Sequence, residues 1–450
     1  MNDRHGLLTQ PIGRVLLKMT LPNLIGALTI LGFGIVDTFF ISQLGTESLA
    51  AISFTFPVAL IIVSLCIGIG AGVSTYLGRL IGSGQPDKAK VFLHDALLLT
   101  FLLTTLISTF GSILVEPIFS LLGANDSSLP LIKNYMLVWF LGAPMLTLLM
   151  VGNQALRATG DTKSPAKIML YSSIINFVLD PLLIFGIGPF PRMEIQGAAI
   201  ATVASWMVGL VFAINLLVFK SKVVDFPDVD MQRIKYNWQQ LARIAQPAAL
   251  MNLLNPVTNA ILMGMLARMD QAAVAAFGAG TRLESILLMV VTGLSSSLMP
   301  FVAQNLGAGQ HQRAQGALML SIKFIFVFQM AMYLPLILLA EPIARIFSQD
   351  PTVIEWLSFY IMIMPAAYGP LGVIILVGTS LNAYHRPMYS LLLNICRLFL
   401  LMLPLAAIGA YYGGIKGLLI ALPITNAIMG AVCYIVARQI SEPLHIPQHN

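Results

Sequence analysis

The chain has 450 residues, 57% of them hydrophobic and only 10% charged, a balance that no soluble core of this size can hide. The formal charge of +6 would suggest nucleic acid in a soluble protein, but here the basic residues collect in short loops between apolar runs and report orientation. Runs of about 18 or more apolar residues, each enough to cross roughly 30 Å of hydrocarbon as a helix, recur from end to end. Strand alternation is absent, so the sequence reads as an all-α integral membrane protein and not as a β-barrel.

The first apolar run follows a basic start (Arg4, Arg14, Lys18), is too long for a signal peptide and has no small-residue cleavage site, so it counts as mature structure. Punctuation by Gly, Pro and charge predicts spans near 14–43, 50–80, 88–115, 128–158, 166–187, 195–220, 237–267, 273–304, 313–340, 352–382, 388–411 and 416–438, twelve in all. Loops on the N-terminal side carry Lys88, Lys90, Arg157, Lys163, Lys220, Lys222, Arg233, Lys235, Arg313, Arg386 and Arg438. Those opposite offer only Arg192, Arg268, Arg345 and Lys416, which predicts cytoplasmic termini. Cys66, Cys396 and Cys433 all fall in apolar segments, with neither metal-ligand spacing nor a disulfide framework.

The chain repeats itself. One constant shift lays Pro22 on Pro247, Gly68 on Gly293, Gly82 on Gly307, Gly84-Gln85 on Gly309-Gln310 and Glu116-Pro117-Ile118 on Glu341-Pro342-Ile343. Further on, "IQGAAIA" (195–201) matches "IKGLLIA" (415–421). Six spans per copy is an even number, so the two bundles enter from the same side, related by a pseudo-two-fold axis along the membrane normal. The expected organisation is an N-terminal lobe over 1–220, a polar linker over 221–236 and a C-terminal lobe over 237–450.

Each ionisable group inside a membrane costs about 2.5–3.5 kcal/mol on insertion scales and so needs a reason. Counting along the helices places Asp37 (span 1), Tyr135 (span 4), Asn176 and Asp180 (span 5) and Thr202 (span 6) at one level, roughly 10 Å below the outer surface. Asn176 and Asp180 are one turn apart on a shared face. Desolvation and mutual repulsion disfavour two carboxylates charged together, so such a set takes up a proton or binds a cation. Its hard oxygens suit Na⁺ at Asp37, Asn176, Asp180 and Thr202 about as well as a proton relay. The second lobe does not copy this set, because Asp37 maps to Leu262. Instead it places Arg282, Glu284, Lys323 and Arg397 at membrane depth, where a salt bridge from Glu284 to Arg282 or Arg397 is the favoured expectation and a substrate-cavity lining the other. Lys323 is expected to snorkel, and His94-Asp95 to meet water at the inner membrane surface. Pro22 lies fifteen residues before Asp37 in the first span and invites a bend there.

These residues resemble the multidrug and toxic compound extrusion (MATE) family, and within it the branch of the DNA-damage-inducible protein F (DinF). The marks are "PNLIGALTILGFGIVDTFFISQLG" in span 1, "GQPDKA" after span 2, "ALRATGDTKSP" (155–165), "NFVLDPLLIFG" (176–186) and "QGAAIAT" (196–202). The resemblance implies two six-helix bundles forming a V around a central cavity, in a bacterial inner membrane, exporting cationic or amphipathic drugs in exchange for inward H⁺ or Na⁺. It also implies a coupling site at Asp37, Tyr135, Asn176, Asp180 and Thr202, with Pro22 as the hinge of span 1. The NorM branch differs: this chain has Asn255 and Asn259 instead of an acid in span 7, and no aspartate in span 10.

The expected function is therefore a monomeric secondary antiporter without a resident cofactor, its coupling ion H⁺ or Na⁺. Its alternative is a flippase of lipid-linked precursors, which would call for helices beyond twelve and a strongly basic cavity. A channel lacks a filter-like loop, and an enzyme lacks a nucleophile-base set.

Overall fold

The computed structural model describes residues 6–440. Arg4 and the segment after residue 440 lie outside the described residues. Helices α1 (Ile12–Ser42), α2 (Thr46–Gly82) and α3 (Pro86–Ile113) come first. The short α4 (Val115–Leu121) and then α5 (Ser128–Ala158), α6 (Lys163–Phe185) and α7 (Glu194–Ile214) follow, and a π-helical extension, Asn215–Lys220, carries α7 onward. The second half runs α8 (Met231–Ala267), α9 (Gln271–Leu287), α10 (Met289–Gly307), α11 (His311–Leu338) and the short α12 (Ala340–Phe347). It closes with α13 (Pro351–Ile363), a single 3₁₀ turn at Met364–Ala367, α14 (Tyr368–Ala383), α15 (Pro387–Ile395), a π-helical stretch at Cys396–Met402 and α16 (Leu403–Gln439).

Twelve spans emerge from this list once three breaks are read correctly. The eighth span, expected as one helix, is α9 and α10 bent by 45° at Leu288. The tenth is α13 and α14 joined through the 3₁₀ turn, as Pro351–Ala383. The eleventh and twelfth run together as Pro387–Gln439, 53 residues that would extend about 80 Å as one straight helix, far beyond a bilayer. They separate at Gly414, whose φ of 58° and ψ of −146° lie where only glycine is comfortable. The chain folds back so closely there that the backbones of Gly409 and Gly417 touch and leave no room for a Cβ.

Two short helices leave no mark in the apolar pattern. Both grow from the repeated Glu-Pro-Ile triplet, at Glu116 in α4 and Glu341 in α12. Their acids sit in the first turn, where the helix dipole favours negative charge, and pair with Lys133 and with Arg345 (2.6 Å).

By contacts the chain divides into two compact units, Lys18–Ala249 in the first, and Leu7–Leu17 together with the chain from Leu250 onward in the second. The division falls inside α8, not in the polar stretch 221–236. The last part of that stretch, 231–236, already forms the start of α8. Gly68 and Gly72 of α2 lie against α8 at Ala245, Ala249 and Leu241, and a second fastening is Asp95 of α3. This carboxylate is fully buried and does not meet water as the sequence suggests. It accepts from Asn237 Nδ2 (2.7 Å) and Arg233 Nε (3.3 Å), and its carbonyl accepts from Trp238 Nε1 (2.8 Å). His94 Nδ1 lies 3.1 Å from the same carboxylate. A buried acid needs partners, and here they come from the start of α8, which fastens that half-helix to the first unit.

Gly414→Ala is expected to destabilise the folded protein by about 1–3 kcal/mol, seen as a lower melting temperature in detergent. Gly413→Ala, one residue earlier and with open space around its Cα, should leave the melting temperature in place.

Candidate ion and anion sites

In the first unit, α6 and α7 are drawn together because Gly197 of α7 lies directly against the backbone of Leu183 in α6, an approach any Cβ would block. That contact brings Thr202 opposite Asn176. Asn176 Nδ2 donates to Asp180 Oδ1 (3.1 Å) along α6 and reaches Thr202 Oγ1 (3.5 Å) across to α7. All three side chains are buried, Asp180 completely. Helix α1 approaches α6 through Phe40, whose ring lies 6.1 Å from Phe177 and 6.3 Å from Phe185. Asp37, one turn earlier on α1, lies near Asp180. Tyr135 of α5, also buried, lies near both acids.

The structure thus gathers all five residues singled out in this lobe, three through hydrogen bonds and two through proximity. It also shows what depth counting could not. Asp37 Oδ1, Asn176 Oδ1 and Asp180 Oδ2 are buried acceptors without a hydrogen-bond donor. Buried acceptors left open cost about 1–3 kcal/mol each, so the cluster favours whatever brings positive charge to it. Among the described residues no group of three or more His, Cys, Asp or Glu side chains forms a metal cluster.

By sequence, Arg157 counts among the orienting loop charges. It lies instead within α5, where Nε donates to Asn23 Oδ1 (3.1 Å) and Nη1 to Gln154 Oε1 (3.3 Å). Asn23 follows Pro22, so Arg157 grips α1 beside its proline. The helix itself runs without interruption through Pro22. A signal exists in "ALRATGDTKSP": Asp161 turns the chain by accepting from the N–H groups of Lys163 and Ser164, so Arg157 belongs to the helix before that turn.

The second unit corrects one expectation outright. Among the described residues no ion pair involves Glu284, Arg282 or Arg397. Glu284 Oε2 instead accepts from the hydroxyl of Tyr360 (3.0 Å). Packing decides this, because Gly280, one turn before Glu284, lets the Tyr360 ring settle on α9. Arg397 is 6% exposed and held by three carboxamide oxygens, those of Asn255 (2.7 Å), Asn394 (3.1 Å) and Asn426 (3.4 Å). Arg282 is exposed. Lys323, also exposed, is the sole charged residue lining an otherwise apolar cavity of about 760 Å³ that Phe326, Val373, Gly430 and Tyr434 help to form.

Comparison with known proteins agrees with the repeat. The MatE family model matches residues 22–182 and again 247–408, so the two matches begin at Pro22 and Pro247, the pair that the internal repeat superposes. The chain belongs to the MATE family. This MATE transporter is 67% identical over 444 residues to a protein of Shewanella oneidensis described as an FAD transporter, covering 99% of the chain and 98% of that protein. It is 30% identical over 369 residues to the multidrug export protein MepA of Staphylococcus aureus, covering 79% and 78%. Among solved structures, an aspartate-to-asparagine variant of the Vibrio cholerae MATE transporter VcmN superposes with a TM-score of 0.91 at 30% identity, over 96% of this chain and 98% of that one. VcmN in a bent form superposes equally well, at 29% identity over 96% and 97%. Twelve helices in two bundles, spanning a membrane repeatedly, are the fold of this family member.

Asn176→Leu would strip Asp180 and Thr202 of their shared donor. A loss of about 1–3 kcal/mol is expected, read as a drop in melting temperature, whereas the same change at exposed Asn259 should cost less than half of that.

Proposed function

We propose that this MATE transporter exports FAD across the bacterial inner membrane, both termini cytoplasmic, by alternating access coupled to the return of H⁺ or Na⁺. The observation that carries the substrate is the 67% identity, over almost the whole of both chains, to a protein described as an FAD transporter. The three open acceptors at Asp37, Asn176 and Asp180 support the coupling role. An ion arriving from outside joins the cluster with Tyr135 and Thr202 around it. Neutralising the acids removes their repulsion and lets α1 bend at Pro22, where the proline deprives the helix of one hydrogen bond. Inward release of the ion restores the straight helix.

Magnitudes favour this assignment of roles. FAD is anionic at neutral pH, so leaving a negative interior is driven by about 2.3 kcal/mol per charge for each 100 mV, whereas an exported cation works against that potential. For FAD the returning ion serves mainly to reset the transporter. For a cationic drug it must also supply the energy.

Export of cationic or amphipathic drugs is the second reading, favoured by the 30% identity to MepA. Inside-out membrane vesicles separate the two. FAD should accumulate in vesicles with the wild-type transporter, respond to an imposed pH or Na⁺ gradient, and fall about tenfold or more with Asp37→Asn, as expected when a group essential to each cycle is neutralised. Accumulation of a cationic dye without FAD would move the assignment to drug export, and undiminished FAD transport by Asp37→Asn would remove Asp37 from the coupling site.

A further inference from the structure

Arg397 lies deep in the second unit, ten residues into its span from Pro387, or about 15 Å. Charge at such depth is expensive and is ordinarily met by an acid. Here all its hydrogen bonds go to neutral groups. Nε, Nη1 and Nη2 donate to the carbonyl oxygens of Asn394, Asn426 and Asn255. Glu284 lies nearby, yet its own hydrogen bond comes from the hydroxyl of Tyr360. A guanidinium has five N–H donors, so two remain after these three bonds.

Three further observations say which way the site opens. Asn255 and Asn259 are exposed, and with Asn252 they fall at i, i+3 and i+7 along α8, one stripe of carboxamides on a single face. Asn255 lies twelve residues, about 18 Å, before the end of α8 at Ala267. Lipid tails cannot satisfy amides at that depth, so this face borders water or a polar ligand. Since a guanidinium only donates, Asn255 must offer Arg397 its oxygen, which leaves its NH₂ group as a further donor on the exposed face. Finally, Arg397 falls within the π-helical stretch Cys396–Met402, a distortion that is costly and recurs at functional sites.

We infer that Arg397, together with the exposed carboxamides of Asn255 and Asn259, forms an anion-recognition site for the diphosphate of a nucleoside diphosphate moiety, such as that joining the two halves of FAD. Guanidinium and amide N–H groups donate, which suits phosphate oxygens. The choice of diphosphate rests on the FAD reading above. The existence of an anion site does not.

Purified transporter in nanodiscs provides the test, with FAD, ADP, inorganic pyrophosphate and uncharged riboflavin as probes. Wild type is expected to bind FAD in competition with ADP. Arg397→Gln and Arg397→Lys should each weaken FAD and ADP binding about tenfold or more while leaving riboflavin binding unchanged, because a lysine cannot keep the fork. Asn259→Leu, which leaves every Arg397 contact in place, should weaken ADP binding in the same direction and covers the case that the arginine variants do not fold. Folding is followed by melting temperature. ADP affinity equal to wild type in Arg397→Gln, or in Asn259→Leu where the arginine variants are unfolded, overturns the site and leaves Arg397 as a staple between helices. Should wild type bind ADP or pyrophosphate through Arg397 but neither bind nor carry FAD, the anion site stands and the FAD reading falls.

Discussion

In hydrocarbon every polar group must find its partner inside the protein, since no water will stand in. That constraint sorts this molecule. It makes the backbone helical, places breaks where a glycine or a 3₁₀ turn can absorb them, and turns every buried polar side chain into a statement about its neighbours. Asp95 meets the demand fully, taking Arg233, Asn237 and Trp238 as partners and drawing the start of α8 into the first unit. Asp37, Asn176 and Asp180 do not meet it, and each keeps a buried oxygen open.

The two units answer the same demand with opposite chemistry. The first brings together oxygens of acids, an amide and a hydroxyl, three of which are buried without a donor. The second holds a guanidinium in amide oxygens. A duplicated fold has thus diverged at the level of side chains while the repeat itself, Pro22 on Pro247 and the triplet at Glu116 on that at Glu341, persisted. The same place in the repeat holds Asp37 in α1 and the buried Leu262 in α8.

Small residues do the positioning. Gly197 sets the distance between α6 and α7 that lets Asn176 reach Thr202, and Gly280 admits the ring of Tyr360 that takes Glu284 away from the arginines. Both are packing effects over a few ångströms, on the scale of a single methyl group. They decide which hydrogen bonds exist, and therefore which charges stay available for a ligand.

Span number and the repeat were legible in the sequence, and so was the helix face that Asn176 shares with Asp180. Hydrophobic length and the constant rise of an α-helix fix depth without reference to any other helix. Pairing was not legible. The expected Glu284 salt bridge gave way to Tyr360, Arg157 proved to hold α1 beside Pro22, and Asp95 was enclosed instead of wet. Depth is a property of one helix read along its axis, whereas partners depend on rotation and on the approach of neighbouring helices. Only the packed structure sets those.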